Sequence, residues 1–218
     1  MVLGGISMHL VQGSIFIWGN IAMYCLSYFY FLKKNEPSQS DGQSPSHDLN
    51  PKLLAWVVQI QIACQMGSSI IGTFLINKMN PKVIIAISMV ASSLVLVAAS
   101  YAATWWTFFF LYAFCWPLSM GPAYFVPVIC AWEWFPKKKS TISGAILCGY
   151  GFGAFIFGFV TTTIANPENF MPDVEGLYFP QLVAQRVPLM IRTCAACFCG
   201  LFVVTIITVK RNPNIQDG

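Results

Sequence analysis

The chain has 218 residues, of which 56% are hydrophobic and only 9% charged, with a formal net charge of +4. Soluble globular chains carry about 25% charged residues, so this one has too little charge to coat a water-facing surface. A mean hydropathy of +0.65 excludes an ordinary soluble domain on the same ground.

A helix needs about 20 apolar residues to cross the hydrocarbon layer. Six such runs occur, at 9–32, 53–76, 83–101, 107–131, 140–165 and 187–209. They predict an all-α polytopic membrane protein, with six transmembrane helices forming a single bundle over 1–218. Their length and continuity argue against the short alternating strands of a membrane β-barrel.

Taken in chain order, the first eight residues carry no charge and lack the basic start of a secretory signal, so span one is expected to be retained. Span one places His9, Gln12, Phe16, Asn20 and Ser27 at helix-like spacings. Residues 33–52 are polar and rich in Ser, Pro and Gly, as a surface loop would be. Span two repeats the polar pattern with Gln61, Gln65, Ser68 and Gly72, and a short basic connection follows at 77–82. After span three, Trp105 and Trp106 are placed like interfacial anchors. Pro122 and Pro127 should bend or soften span four, and Pro136 should stop it before Lys137, Lys138 and Lys139. In span five, Gly149 and Gly153 stand at i, i+4, a spacing that permits close helix–helix contact. A loop at 166–186 is broken by three prolines, and Pro188 suits the first turn of span six.

The charges sort by side. Lys78, Lys82, Lys137, Lys138, Lys139, Lys210 and Arg211 share one side if both termini lie there. Lys33, Lys34, Lys52 and Arg186 face Glu36, Asp41, Asp48, Glu168, Asp173 and Glu175 on the other. The asymmetry puts both termini on the positive-inside face of an integral membrane protein. It does not choose between the plasma membrane and an organellar membrane, mitochondrial ones included.

Chemistry-bearing motifs are scarce. Eight cysteines all fall in predicted spans, and Cys194-x-x-Cys197 lies inside an apolar helix with no second pair, so packing is the expected role. His9 and His47 are too distant to suggest a zinc site, and no nucleophile–base or carboxylate pair is evident. The expectation is no catalytic residue, no metal, no cofactor and no nucleic-acid partner: the chain is not read as an enzyme. Arg192, one turn beyond Pro188, is a candidate for an anionic carboxylate, with snorkelling to the headgroups as the favoured alternative. Glu133 is expected to pair with Lys137 at the interface.

The densest pattern is Gly121-Pro122-Ala123-Tyr124-Phe125-Val126-Pro127, then Trp134-Phe135-Pro136 with its lysine run, then the glycines of span five. It resembles the oxalate/formate-antiporter and monocarboxylate-transporter branch of the major facilitator superfamily. Gly13 through Gly19 is similar to that branch's first helix, and Tyr178 through Pro188 to the start of its sixth. Asn77-Lys78-Met79-Asn80-Pro81-Lys82 occupies the place of the superfamily's loop between helices two and three, with Asn77 and Asn80 where Asp and Gly are usual. The resemblance covers the amino-terminal six-helix half of a fold built from two such halves.

That resemblance implies a hydrated cavity along helices one, four and five, with Gln12, Asn20, Tyr124 and Tyr150 as substrate contacts and Arg192 as a further candidate. Simple interhelical hydrogen bonding is the competing role for each. It makes Asn77, Lys78, Lys82, Lys137, Lys138 and Lys139 candidates for gating at the inside loops. Two functions follow. One is half of a secondary carrier for a small organic anion, partnered by a second six-helix half. The other is a non-transporting subunit of a larger membrane complex derived from a transporter. The lipid bilayer is a partner in both.

Overall fold

The computed structural model describes residues 1–34, 51–173 and 178–213. Most of the predicted 33–52 loop lies outside these residues, as do His47, Glu36, Asp41, Asp48 and Glu175. Among the described residues every regular element is helical. Six helices are long and apolar enough to cross a membrane: α1 (Val2–Lys34), α2 (Leu54–Leu75), α3 (Pro81–Ala99), α4 (Trp105–Trp134), α5 (Pro136–Ala165) and α6 (Gln181–Thr208). The chain is an integral membrane protein.

Four of these differ instructively from their predicted spans. The uncharged opening residues join the membrane run, so α1 begins at Val2 rather than near His9. Within it Ser14–Ile17 tightens to a 3-10 turn. α4 starts at Trp105 and is the most broken: a π segment at Phe110–Cys115 precedes a short α-helix, Trp116–Met120, and a 3-10 turn at Gly121–Ala123. Regular helix resumes at Val126–Trp134 and ends before Pro136, which cannot donate to the preceding turn. In α5 a 3-10 turn at Pro136–Lys138 precedes the long helix from Lys139. In α6 a short helix, Gln181–Gln185, occupies what the sequence suggested was loop, and Pro188 sits in the first turn of Val187–Thr208.

Packing depends on missing side chains. A Cβ on Gly13 of α1 would meet the Tyr150 carbonyl oxygen of α5 at 1.8 Å, and one on Gly72 of α2 would meet the Pro122 oxygen of α4 at the same distance. Gly149 and Gly153 lie against the carbonyls of Ile6 and Leu10, where a Cβ would come within 2.6 and 2.3 Å. Two helix pairs, α1–α5 and α2–α4, therefore touch backbone to backbone. At the other end of α1, Trp18, Phe29, Trp105, Phe108 and Tyr112 form an aromatic cluster. Trp105 is thus a core residue, while Trp106 is exposed in the manner of an interfacial anchor. The Trp18 indole also donates to the Leu54 carbonyl at 2.7 Å, tying α1 to α2.

One end of the molecule gathers Met1, the 77–82 connection and residues 210–211. The Met1 sulfur accepts from the Lys210 amide at 3.1 Å, and Lys210 and Arg211 share a cavity wall with Lys78 and Lys82. Glu133 pairs here with Arg211 at 3.0 Å and accepts the Asn212 amide at 3.1 Å. Its carboxylate partner is therefore Arg211, 78 positions away, and not the neighbouring Lys137. At the opposite end, Arg186 clamps Glu168 through both guanidinium nitrogens.

Candidate functional site: a polar seam between four helices

Proline creates the seam. In the π segment of α4 the Trp116 amide turns to Leu111 O, and the next residue, Pro117, has no N–H for the Tyr112 carbonyl. Gln61 of α2 fills that carbonyl, donating through Nε2 at 3.1 Å. About two turns on, the Tyr124 amide bonds Gly121 O in 3-10 fashion, instead of reaching the Met120 carbonyl as in a regular α-helix. Gln12 of α1 donates to Met120 O at 3.2 Å. Two glutamines from different helices thus mend two proline-linked faults in a third. Inside a membrane such carbonyls have no water to turn to.

A second layer lies beside the first. The Tyr150 hydroxyl of α5 donates to Gln65 Oε1 of α2 at 2.9 Å, across 85 positions of sequence. The His9 ring meets Tyr124 edge-on at 5.0 Å and Tyr150 at 6.5 Å between centroids. His9 Nδ1 is 2.9 Å from the Gly5 carbonyl. A carbonyl can only accept, so Nδ1 carries the proton, and Nε2 of the neutral ring is a bare acceptor. Phe16 extends the row, T-shaped against Tyr150 at 5.5 Å.

Three buried polar atoms of this seam have no partner among the described residues: His9 Nε2, Gln12 Oε1 and Gln65 Nε2. Gln61 Oε1 and the Tyr112 hydroxyl repeat the situation nearer the aromatic cluster. Buried polar groups are ordinarily paired, so this concentration of unpaired ones sets the seam apart from the rest of the interior. The set offers donors and acceptors but no fixed charge.

The structure brings Gln12, Tyr124 and Tyr150 together around His9 and Gln65. It does not bring Arg192 there. The Arg192 Nε donates to Ser100 Oγ at 3.0 Å, and its guanidinium lies 4.0 Å from the centre of the Tyr101 ring, at the far end of α3. Asn20 is exposed beside Gly158 of α5, two turns from Gln12 on α1. Of the loop candidates, Asn77, Lys78 and Lys82 line the basic cavity, whereas Lys137, Lys138 and Lys139 are exposed outside it, with Lys139 over the Trp132 ring at 5.8 Å. Sequence reasoning did not select His9, Gln61 or Gln65 as site residues. Their helical spacing was a usable signal, but the carbonyls they approach or fill lie on other turns and other helices.

Six apolar helices, with a polar seam along four of them, define a polytopic membrane protein with polar groups held at depth. No protein-family model matches the chain. Over its whole length the chain is 27% identical to apicoplast pyruvate carrier 1 of Toxoplasma gondii, and the match covers 46% of that relative. It is 21% identical over 168 residues to the fujikurins efflux protein of Gibberella fujikuroi, covering 77% of this chain and 32% of the relative. The chain thus spans about half, or less, of the length of the curated relatives it matches. Its likeness is to membrane transport proteins.

Proposed function

We propose that this chain is one six-helix half of a secondary carrier for small organic anions of the monocarboxylate or oxalate/formate class. The fold implied is half of a major facilitator bundle, completed by a second six-helix half. The observation that carries this reading is the full-length likeness to a protein named as a pyruvate carrier, of which the chain accounts for 46%. The seam supports it. Gln65 Nε2 is a donor suited to a carboxylate, and the Tyr150 hydroxyl and a protonated His9 would add others once the Tyr150–Gln65 bond is released and the ring takes up a proton. Gln12 and Tyr124 continue the same side of the site toward Phe16, and Asn20 follows Phe16 on α1 as an outlying contact. In this reading α1, α2, α4 and α5 face the second half, and rocking of one half against the other opens the seam. Asn77, Lys78 and Lys82, with Lys137 to Lys139, gate the inside end.

Reconstitution tests it. The chain, assembled with its second half in proteoliposomes, should take up labelled pyruvate, lactate, formate or oxalate down an anion gradient. Uptake should fall at least about tenfold in Gln65→Leu, the loss expected when a hydrogen-bonded substrate group is left unpaired. Well-folded protein that moves none of these anions under any pairing rejects the reading.

A second reading is favoured by one observation: His9, Gln12, Gln61 and Gln65 are each fully buried, so the seam is closed by its own side chains. That suits a non-transporting subunit of a larger membrane complex, as does the Asn77/Asn80 loop. Co-purification at fixed stoichiometry with subunits unrelated to transporters would select it over the carrier.

A further inference from the structure

The largest concentration of positive charge lies away from the seam. The α2–α3 connection and the chain leaving α6 enclose a cavity of about 480 Å³, lined by Asn77, Lys78, Asn80, Lys82, Lys210 and Arg211 among others. Arg211 is held by Glu133. Lys78, Lys82 and Lys210 have no carboxylate within ion-pair distance among the described residues. Three lysines that line one space without a carboxylate partner among the described residues call for an anion.

Depth identifies the kind of anion. The Trp134 indole donates to the Lys210 carbonyl at 3.0 Å, and the Lys210 ammonium lies 5.5 Å from that ring. Tryptophans at helix ends sit at the headgroup level, which puts the mouth of this cavity among phosphates rather than in bulk water. The surroundings then change from charged to apolar within one turn. Between α3 and α6 a groove of about 280 Å³ is lined by Ala86, Met89, Val90, Cys199, Phe202 and Ile206 and their neighbours. Its first residue, Ala86, stands one turn above Lys82, and Ile206 lies in the last turn of α6, four residues before Lys210. On the other flank of α3 a second groove, of about 210 Å³, contains Leu75, Ile87, Ala91 and Pro122. Met79 lines both this groove and the basic cavity, so the two adjoin at its side chain.

We propose that this site binds one anionic glycerophospholipid, its phosphate among Lys78, Lys82 and Lys210 and its two acyl chains straddling α3. Charge complementarity selects the headgroup, and the paired apolar grooves select a two-chain amphiphile. Free inorganic phosphate would use the mouth and leave both grooves without a role. A lipid held here ties the α2–α3 connection to the end of α6, and the site stands whether or not the seam carries an organic anion.

The test uses the full chain in mild detergent, titrated with dioleoyl phosphatidylglycerol or dioleoyl phosphatidylcholine and followed by native mass spectrometry and thermal unfolding. Wild type should retain the phosphatidylglycerol about tenfold better than the phosphatidylcholine, and the preference should shrink as salt rises. The triple variant Lys78→Gln, Lys82→Gln, Lys210→Gln should lose that roughly tenfold preference entirely, each lysine contributing at most about fivefold. Ala86→Trp, which fills the α3–α6 groove without touching a charge, should also weaken retention. Millimolar inorganic phosphate should not displace the lipid. Equal retention of the two lipids by wild type, a preference indifferent to salt, or displacement by phosphate alone each overturns the proposal. So does undiminished retention in Ala86→Trp. If the triple variant fails to fold, the wild-type salt series and the phosphate competition still decide.

Discussion

The two sides of this molecule solve the membrane problem in opposite ways. Along α1, α2, α4 and α5 the backbones approach until glycine is the only residue that fits, and polar side chains mend a broken helix. Along α3 and α6 the helices are nearly continuous, an apolar groove runs between them, and charge is limited to Lys82, Arg186 and Arg192. Hydrocarbon offers helices no hydrophobic drive to associate, so close packing and hydrogen bonds must hold the first side together. The second side is held by scattered bonds instead, Arg192 to Ser100, Cys199 to Ser93 and Thr205 to the Gly4 carbonyl. The comparison teaches that irregularity here is local and costly, and it collects where a carrier would need groups that rearrange.

The sharpest way to break that contrast is to add a side chain on each side. Gly13→Leu should destabilise the protein by about 3 kcal/mol or more, because its Cβ alone lands 1.8 Å from the Tyr150 oxygen and neither backbone can retreat. Gly200→Ala on α6, where an added Cβ meets nothing within 4 Å, should stay within about 0.5 kcal/mol of wild type. Thermal unfolding in one detergent measures both, and equal shifts would erase the distinction.

A smaller effect probes the seam itself. Tyr150→Phe removes the bond to Gln65 Oε1 and leaves that oxygen buried, a loss of about 1 kcal/mol by the scale of hydrogen bonds inside membranes. Gln12→Leu should cost a similar amount, about 1 kcal/mol, by orphaning the Met120 carbonyl. A double variant of Gln12 and Tyr150 that loses less than the sum would indicate one coupled network. Arg192→Gln should leave anion uptake unchanged within about twofold, since its contacts are Ser100 and Tyr101 and its exposed ion is weakly coupled to anything else. Uptake abolished by that change would move the substrate site to the α3–α6 side.

The least effect is expected at the loop. The Arg186 hydrogen bond holds the Glu168 carboxyl below its ordinary range. A depressed carboxyl contributes stability above its unfolded value and loses it as pH falls through the folded one. Unfolding temperatures of wild type and Glu168→Gln should therefore differ slightly at neutral pH and converge in acid. Curves that separate as pH falls would contradict the pairing.

Much of this was legible in the residues. Hydropathy located six spans because a membrane helix must satisfy its backbone internally and cover itself with apolar groups, both of which are local demands. Pro122 and Pro136 announced a softened and then terminated α4 for the same reason. Other features were not legible. The charged partner of Glu133 turned out to be Arg211, because the end of α6 passes closer to it than the adjacent lysine loop does. Trp105 moved from interface to core because α1 supplies Trp18 and Phe29 to meet it. Arg192 reads from the sequence as a snorkelling residue first and an anion contact second, and its actual partners, Ser100 and Tyr101, depend on where α3 ends.

The sequence by itself determined that this is an all-α membrane protein, how many times it crosses, and where its charges gather, since hydropathy and charge are sums over neighbouring residues. Only the tertiary structure decided which polar groups share a space. Gln61 and Gln12 reach carbonyls 51 and 108 positions away, and the two glycine-lined contacts that allow it belong to helices not adjacent in the chain. A freed carbonyl in hydrocarbon must find a donor, but proximity in three dimensions chooses which.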